Sequence, residues 1–463
     1  MALSPGIFRE YDVRGVVGKD LDEAAVTATA KAFGTYLAKK GKKTAAVGRD
    51  VRHSSLTFAK LVADGLRSTG IDVIDAGIVP TPVLYYTIIQ RGLDGGVMVT
   101  GSHNPIEYNG LKICEGSLAL YGEEIQDLYR LASAGAFTAG RGNLETVDIL
   151  PTYRADLLSR FKPKRRFKVV VDTGNGVAGP LIPDFLKRLG HEVHELYTEP
   201  DGSFPNHLPD PEVPEYMADL VAKVREVKAD IGLGFDGDAD RLGVIDESGR
   251  KVSADWLVAI FARDLLERHP GGVVRFDVKC TDFLAADVRA HGGKPVMGRT
   301  GHSILKRDIK RLDAILGGEL SGHIVFGREY YVIDDPFYCA LKLLALIEAS
   351  PERTCSGLFA GFPTTVSTAE IKVAVPEDKK FGVVADLTRD FAAAHEVTTV
   401  DGVRVAFADG WGLVRASNTT ANLTVRFEAR TGEALERIRK TFLERMSRYS
   451  FLELSKVRSA EIQ

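Results

Sequence analysis

The sequence has few of the features that mark secreted, zinc-binding or membrane proteins. Its 463 residues include only four cysteines, Cys114, Cys280, Cys339 and Cys355, and no two of them form a CxxC pair. This argues against a disulfide framework or a zinc site and predicts reduced thiols in a cytosolic setting. No apolar run approaches membrane-spanning length, and the N-terminus lacks a secretory leader pattern. We therefore expect a cytoplasmic protein without a membrane partner.

An excess of one charge is also missing. With 60 Lys and Arg against 63 Asp and Glu, the net charge is −3, which gives no overall attraction to nucleic acid. Any recognition of an anion must therefore come from local clusters. The composition, 44% hydrophobic and 27% charged, is typical of a globular protein, and the length predicts three or four domains.

The first candidate site is a serine in a tight turn. The apolar run Val97–Val99 predicts a buried strand, and it leads directly into Thr100–Pro105. Gly101 permits the turn and Pro105 fixes its exit. Ser102 then stands at the end of a strand, where open α/β sheets place their chemistry. A serine needs an activating partner to act as a nucleophile. The alternative to a reactive role is that Ser102 only closes a turn or caps a helix.

Two cations are expected near this serine. Arg14, within the segment Tyr11–Gly15, would reach a phosphate or stabilise developing charge, and the alternative is a surface loop with an ion pair. Lys112 follows the turn Asn109–Gly110 and would act as a general acid or base if burial lowers its pKa.

Three carboxylates occur at alternate positions, Asp236, Asp238 and Asp240, separated only by glycine and alanine. Carboxylate oxygens at this spacing can converge on one hard cation such as Mg²⁺, with positions left open for water or a phosphate oxygen. A calcium EF-hand is rejected, because Arg241 stands where glycine is needed and the flanks predict strands. A solvated acidic hairpin is the alternative, but three uncompensated anions would repel one another.

Two later turns carry polar groups. Glu319 and Ser321, at a glycine-flanked turn, would present a carboxylate and a hydroxyl to adjacent hydroxyls of a sugar. The segment Arg415–Thr420 places a guanidinium before a run of hydroxyl and amide side chains, which suits a phosphate. Each turn, taken alone, fits an ordinary polar loop equally well.

Strand and helix patterns alternate up to about residue 362, which predicts α/β units with mixed sheets. The last hundred residues predict an α+β unit with an antiparallel sheet. We therefore expect four domains, at residues 1–147, 148–250, 251–362 and 363–463.

Four of these segments resemble the signature loops of the α-D-phosphohexomutase superfamily, and most closely its bacterial phosphomannomutase/phosphoglucomutase branch. In chain order they are Thr100–Pro105, Asp236–Arg241, Gly318–His323 and Arg415–Thr419. Further segments are similar to the same branch, namely Tyr11–Gly15, Gly48–Ser55, Lys279 and Gly301–Ser303. The resemblance covers essentially the whole chain.

This resemblance implies four domains around a central cleft, three related α/β domains and a C-terminal domain like the TATA-binding protein. It also implies an enzyme that interconverts hexose 1-phosphates and hexose 6-phosphates, with mannose or glucose as the sugar. The phosphoryl group would be carried by phosphoserine 102, with a hexose 1,6-bisphosphate as intermediate and activator. One Mg²⁺ per chain and a monomer or weak dimer are expected.

The resemblance also assigns roles to individual residues. The catalytic residues would be Ser102, Arg14, Lys112, Arg241 and His302. The Mg²⁺ ligands would be Asp236, Asp238, Asp240 and, through its phosphate, Ser102. The substrate contacts would be Tyr11, Lys279, Glu319, Ser321, His323, Arg415, Ser417, Asn418 and Thr419.

The chain departs from the family pattern at two positions. The family's phosphate loop often carries a proline shortly after its Asn-Thr pair, but Thr419–Ala421 contains none, which predicts a looser loop. Leu320 replaces the methionine usual in this branch, and phosphoglucosamine mutases usually have glutamine there, so leucine favours glucose and mannose phosphates. Phosphoglucosamine mutase is therefore the alternative enzyme. A non-catalytic sugar-phosphate binding protein and a phosphatase are further alternatives.

Overall fold

The computed structural model describes residues 3–417 and 420–462. These residues form four sheets, each covered by helices, in the order that the sequence predicts. Short 3₁₀ turns occur at Pro5–Ile7, Pro214–Met217 and Ser356–Phe359. Within the described ranges, none of the helices combines the length and apolar character needed to cross a membrane.

The first sheet has seven strands. Its strands are β1 (Val13–Val16), β2 (Thr44–Arg49), β3 (Asp72–Ile78), β4 (Gly95–Val99), β5 (Tyr108–Glu115), β6 (Leu118–Ala119) and β7 (Leu144–Thr146). Its helices are α1 (Glu23–Lys39), α2 (Ser55–Arg67), α3 (Thr81–Arg91) and α4 (Glu123–Ala134). The strand order is β1-β5-β4-β2-β3-β7, with β6 beside β5. Strands β2, β3, β4 and β7 run parallel, and β5 returns antiparallel to β4, so the serine turn connects two neighbouring strands.

The second sheet has five strands in the order β12-β11-β10-β8-β9. Its elements are α5 (Leu150–Ser159), β8 (Lys168–Asp172), α6 (Ile182–Arg188), β9 (Glu192–Leu196), α7 (Ala218–Val227), β10 (Ile231–Phe235), β11 (Leu242–Asp246) and β12 (Lys251–Val252). Strands β10 and β11 pair antiparallel, and the turn between them carries the three aspartates. Strands on both sides of this turn confirm that it is no EF-hand.

The third sheet has four strands in the order β14-β13-β15-β16. Its elements are α8 (Ala254–Arg268), β13 (Val273–Asp277), α9 (Asp282–Ala290), β14 (Lys294–Gly298), α10 (His302–Leu312), β15 (Leu316–Gly318), β16 (Ile324–Phe326) and α11 (Pro336–Ala349). The turn between β15 and β16 contains Glu319 and Ser321, and Gly301 precedes α10.

The fourth sheet is antiparallel throughout. Its elements are β17 (Val366–Ser367), β18 (Ile371–Ala374), α12 (Lys380–Ala392), β19 (Val397–Thr398), β20 (Val403–Phe407), β21 (Gly410–Ala416), β22 (Asn422–Ala429), α13 (Gly432–Met446) and α14 (Ser455–Arg458). Strands β17 and β18 are separate and both pair with β22. The Thr368 hydroxyl accepts the amide hydrogen of Phe427 at 3.1 Å, which interrupts the ladder between them.

The hydrophobic cores explain how the units are joined. One continuous cluster of buried side chains draws residues from the first three units, including Tyr86 on α3, Phe185 on α6 and Phe337 on α11. The fourth unit has its own core around α13, and a small cluster of Val278 and Trp411 with Leu413 joins it to the third unit. The fourth unit therefore has a separate core and a small apolar attachment.

A buried carboxylate ties the second and third units together. Asp335 accepts hydrogen bonds at 2.8 Å from the hydroxyls of Tyr153 on α5 and Tyr330, and it also caps the N-terminus of α11. Burial raises the pKa of Asp335 to about 6, although these donors oppose the shift. The group is therefore ionised at pH 8.

Asp335→Ala removes the cap and leaves two buried hydroxyls without their acceptor, so we expect a loss of about 3 kcal/mol in unfolding free energy. Urea unfolding at pH 8 measures the change. Asp335→Asn keeps one acceptor oxygen and should therefore lower the unfolding free energy by less than Asp335→Ala does. Equal stability of all three proteins would contradict the assigned role.

Candidate active site

Ser102 lies in a strained turn at the end of β4. Its φ of 48° places it in the left-handed region that serine rarely adopts. Its Oγ donates a hydrogen bond to Oδ2 of Asp236 at 2.9 Å and lies 3.1 Å from Nδ1 of His103. Burial and the nearby charges of Arg241 and Arg14 hold the pKa of His103 well below its usual range, so the imidazole beside the hydroxyl is neutral.

The three aspartates converge in the turn between β10 and β11. Asp236, Asp238 and Asp240 are almost completely buried and each offers an oxygen within 4.8 Å of the others. Among the described residues, Oδ1 of Asp238 and Oδ1 of Asp240 have no hydrogen-bond partner. Burial, followed by the charges of the other two aspartates, raises the pKa of Asp236 well above its usual range. Buried carboxylate oxygens without donors fit a divalent cation.

Lys112 on β5 approaches the same carboxylates. Its Nζ lies 2.6 Å from Oδ2 of Asp238 and 2.5 Å from Oδ2 of Asp240. Burial alone would lower the pKa of Lys112, but the adjacent carboxylates outweigh it and the pKa is raised. Lys112 would act as a general acid or base only if burial lowered its pKa, and that condition is not met here, so this residue is a cation.

A pair of histidines stacks beside the triad. The rings of His302 and His323 lie 5.3 Å apart and nearly parallel. Nδ1 of His323 contacts Asp334 at 3.1 Å, and its Nε2 accepts from Nε of Arg241 at 3.2 Å. These partners fix the tautomer with the proton on Nδ1. Burial and the charges of Lys306 and Lys112 lower the pKa of His302 well below its usual range, so His302 is neutral.

Glu319 and Ser321 lie side by side, as the sequence predicts. Oε1 of Glu319 accepts the amide hydrogen of Gly301 at 2.6 Å, and Oγ of Ser321 lies 3.3 Å from Oε2 of Glu319. Lys279 pairs with Glu370 of the fourth unit and lies 3.7 Å from Asp277. The side chain of Leu320 instead packs against the central hydrophobic cluster.

The fourth unit supplies Arg415 and Ser417. The guanidinium of Arg415 forms two contacts, at 3.0 and 3.1 Å, with Oδ2 of Asp401. Oγ of Ser417 accepts from the hydroxyl of Thr420 at 2.9 Å. The predicted phosphate contacts Asn418 and Thr419 lie outside the described residues.

All four units line one cleft with a cavity of about 260 Å³. Of the residues singled out in the sequence, the following line it: Tyr11, Arg14, Ser102, Lys112, Arg241, Lys279, His302, Glu319, Ser321, His323, Arg415 and Ser417. The aspartate triad is not among the described lining residues, but Ser102 and Lys112 connect it to the cleft. Arg14 lines the cleft and also forms the ion pair that the alternative predicted, at 2.6 Å from Asp12.

Several lining residues were missed in the sequence. They are Arg9, Glu212, Glu370, Lys372 and Thr424. Most of them stand singly in strands or loops without a glycine or a second polar group as a signal. Asp334 was missed as well, although the adjacent pair of aspartates after β16 could have drawn attention to it.

Comparison with known proteins places the chain in a family. Four consecutive segments match the phosphoglucomutase/phosphomannomutase family: alpha/beta/alpha domains I, II and III at residues 5–138, 151–249 and 253–366, and its C-terminal domain at 370–445. A phosphomannomutase/phosphoglucomutase of Pseudomonas aeruginosa is 45% identical over 95% of each chain. A phosphoglucomutase of Neisseria meningitidis is 42% identical over 94% of this chain and 95% of the relative.

A crystal structure of a phosphoglucomutase/phosphomannomutase family protein from Burkholderia thailandensis superposes with a TM-score of 0.90, at 40% identity and 99% coverage of both chains. Since the family segments and these relatives together span nearly the whole sequence, the chain belongs to the phosphoglucomutase/phosphomannomutase family.

Proposed function

We propose that this protein is a phosphohexomutase that interconverts hexose 1-phosphates and hexose 6-phosphates, with mannose or glucose as the sugar. One observation carries the proposal. The hydroxyl of Ser102, 2.9 Å from Asp236, opens into the same cleft as Arg415 and Ser417 of the fourth unit. A phosphoryl carrier and a separate phosphate-binding group in one cavity suit a substrate with a phosphate at either end. The names of the relatives, phosphomannomutase/phosphoglucomutase and phosphoglucomutase, support this substrate class.

In this reaction, phosphorylated Ser102 transfers its phosphoryl group to the free hydroxyl of the hexose monophosphate. The resulting 1,6-bisphosphate turns end for end, and Ser102 takes back the other phosphoryl group. A loose phosphoryl-transfer transition state depends on positioning and charge neutralisation. Arg14, Lys112 and Arg241 supply positive charge around Ser102, and neutral His302 can accept a hydroxyl proton.

Asp236, Asp238 and Asp240 would hold the metal, Mg²⁺, together with a phosphate oxygen on Ser102. Their unpartnered buried oxygens support this assignment. The ion would supply positive charge to the transferring phosphoryl group.

The remaining groups would bind the sugar and the phosphate that does not react. Glu319 and Ser321 would accept and donate hydrogen bonds to adjacent sugar hydroxyls. Around them on the sugar side would lie Tyr11, Lys279 and His323. The distant phosphate would be held by Arg415, Ser417, Asn418 and Thr419.

The enzyme would act in the cytoplasm, which the four buried, unpaired cysteines support. Its four domains would span residues 1–147, 148–250, 251–362 and 363–463. Each contributes one of the loops around the cleft.

Ser102→Ala should lower mutase activity at least about 1,000-fold, because the carrier oxygen is lost. Glucose 1-phosphate should still bind, since Arg415 and the sugar contacts remain. A coupled assay measures activity, calorimetry measures binding, and intact mass after incubation with glucose 1,6-bisphosphate measures phosphorylation of the protein. Ser117→Ala, in a buried turn between β5 and β6, is the control with normal activity. Retained turnover in Ser102→Ala would remove this serine as the carrier.

Removal of divalent ions with a chelator should abolish activity, and added MgCl₂ should restore it. Asp238→Asn should lower activity about 100-fold or more and raise the MgCl₂ concentration needed, because one charged ligand is lost. Asp246→Asn, at the far end of β11, should keep the wild-type response to MgCl₂. Full activity of the wild-type protein in excess chelator would refute the metal site.

Arg415→Ala should raise KM for glucose 1-phosphate and glucose 6-phosphate about 10- to 100-fold, since a charge-assisted contact is worth about 1.5–3 kcal/mol. The matched control is Arg437→Ala, an exposed arginine on α13 that also pairs with an aspartate, Asp409. Steady-state kinetics in both directions give the values. A KM equal to that of the control would show that this arginine does not bind the phosphate.

A further inference from the structure

Arg52 lies in the loop before α2, away from the cleft, and holds the serine turn from behind. Its Nη1 donates to the carbonyl oxygens of Pro105 at 2.8 Å and Tyr108 at 2.9 Å. Its Nη2 donates to the carbonyl oxygens of Ser102 at 2.9 Å and Asn104 at 2.5 Å. One planar guanidinium therefore spans the whole connection between β4 and β5.

Asp50 completes this arrangement from the other side. Its Oδ2 accepts from the Thr100 hydroxyl at 2.8 Å and from the Gly101 amide at 3.0 Å, and lies 3.4 Å from Nε of Arg52. The Thr100 hydroxyl in turn accepts the amide hydrogen of Ser102 at 2.8 Å. Both backbone groups of Ser102 are thereby fixed by buried side chains.

The turn needs such support, because Ser102 is in the left-handed region with a φ of 48°. A non-glycine residue stays in this conformation only where its surroundings over-determine it. A Cβ atom on Gly101 would lie 2.4 Å from Nε of Arg52, so the guanidinium is packed directly against the turn. The serine cannot relax without displacing Arg52.

The second unit covers this arginine. The ring of Phe204 lies 5.1 Å from the guanidinium carbon of Arg52. A Cβ atom on Gly202 would come within 2.4 Å of the Val51 carbonyl oxygen and 2.8 Å of Cα of Arg52, so these two backbone segments are in close contact. Arg52 is only 3% exposed, which strengthens its hydrogen bonds by excluding water.

We propose that Arg52 is a positioning residue for phosphoryl transfer, which fixes the oxygen of Ser102 at the geometry of attack without touching the substrate. The proposal rests on the role of Ser102 as the phosphoryl carrier. When the turn relaxes, the phosphoserine meets water in place of the sugar hydroxyl. A bond then forms between phosphorus and the water oxygen, the bond to Oγ breaks, and serine and inorganic phosphate result.

Arg52→Gln in the full-length protein should lower kcat about 100-fold, the cost of a displacement of about 1 Å, while KM stays within about twofold. Inorganic phosphate released per turnover should rise. Arg52→Lys should restore little of the lost kcat, because one ammonium group cannot donate to all four carbonyl oxygens. The measurements are steady-state kinetics with glucose 1-phosphate, phosphate release, and intact mass after incubation with glucose 1,6-bisphosphate.

Arg439→Gln is the matched control. This arginine on α13 is equally buried and donates to the carbonyl oxygen of Arg458 at 3.0 Å, but it lies in the core of the fourth unit. Its replacement should lower thermal stability and leave kcat and phosphate release at wild-type values. A purely structural role of Arg52 predicts the same behaviour for Arg52→Gln.

A folded Arg52→Gln protein with the kcat and phosphate release of wild type would overturn the proposal and leave the proposed function intact. Wild-type protein without mutase activity or phosphorylation of Ser102 would overturn both. Should Arg52→Gln not fold, Thr100→Val interrupts the same network with a near-isosteric side chain. The same fall in kcat supports the proposal, and an unchanged kcat refutes it.

Discussion

The hydroxyl of Ser102 and the carboxylate of Asp236 meet although 134 residues separate them along the chain. Their contact brings a turn of the first sheet onto a turn of the second, and Lys112 reinforces it through Asp238 and Asp240. The continuous core beneath the first three units makes this meeting rigid, because packed apolar side chains resist displacement. The position of the Ser102 oxygen relative to the carboxylates therefore depends on packing between units.

Charge compensation governs the rest of the cleft. Lys279 pairs with Glu370, Arg415 with Asp401, and Lys112 with the aspartate triad. Buried charges remain ionised only where such partners offset their desolvation. A phosphate that enters the cleft must therefore share or replace these carboxylate partners. The pair of Lys279 and Glu370 joins the third unit to the fourth, so exchange there is linked to the position of the fourth unit.

The separate core of the fourth unit fits this arrangement. Among the described residues, a small apolar cluster around Trp411 joins it to the third unit, and polar contacts supplement that attachment, such as the hydrogen bond from Thr281 to Glu428 at 2.7 Å. A unit attached mainly through polar contacts can change its orientation at lower cost than one that shares a core. Ser102 and the aspartate triad lie in the units with the continuous core, whereas Arg415 and Ser417 lie in the unit with the separate core.

Local pattern determined much of this protein. The helical face of Val26, Ala30, Phe33 and Leu37 is buried, and the acidic turn lies between two strands, since hydrophobic periodicity and turn residues act over a few positions. The tertiary structure decided the pairing of groups that are distant in the chain. The raised pKa of Lys112 comes from aspartates more than 120 residues away, and the lining residue Glu370 has no local signal. The sequence alone therefore identifies the chemical groups of the site, whereas packing between units determines which of these groups are in contact. The reason is that electrostatic contacts act through space, so the residues next to each group in the chain do not reveal its partner.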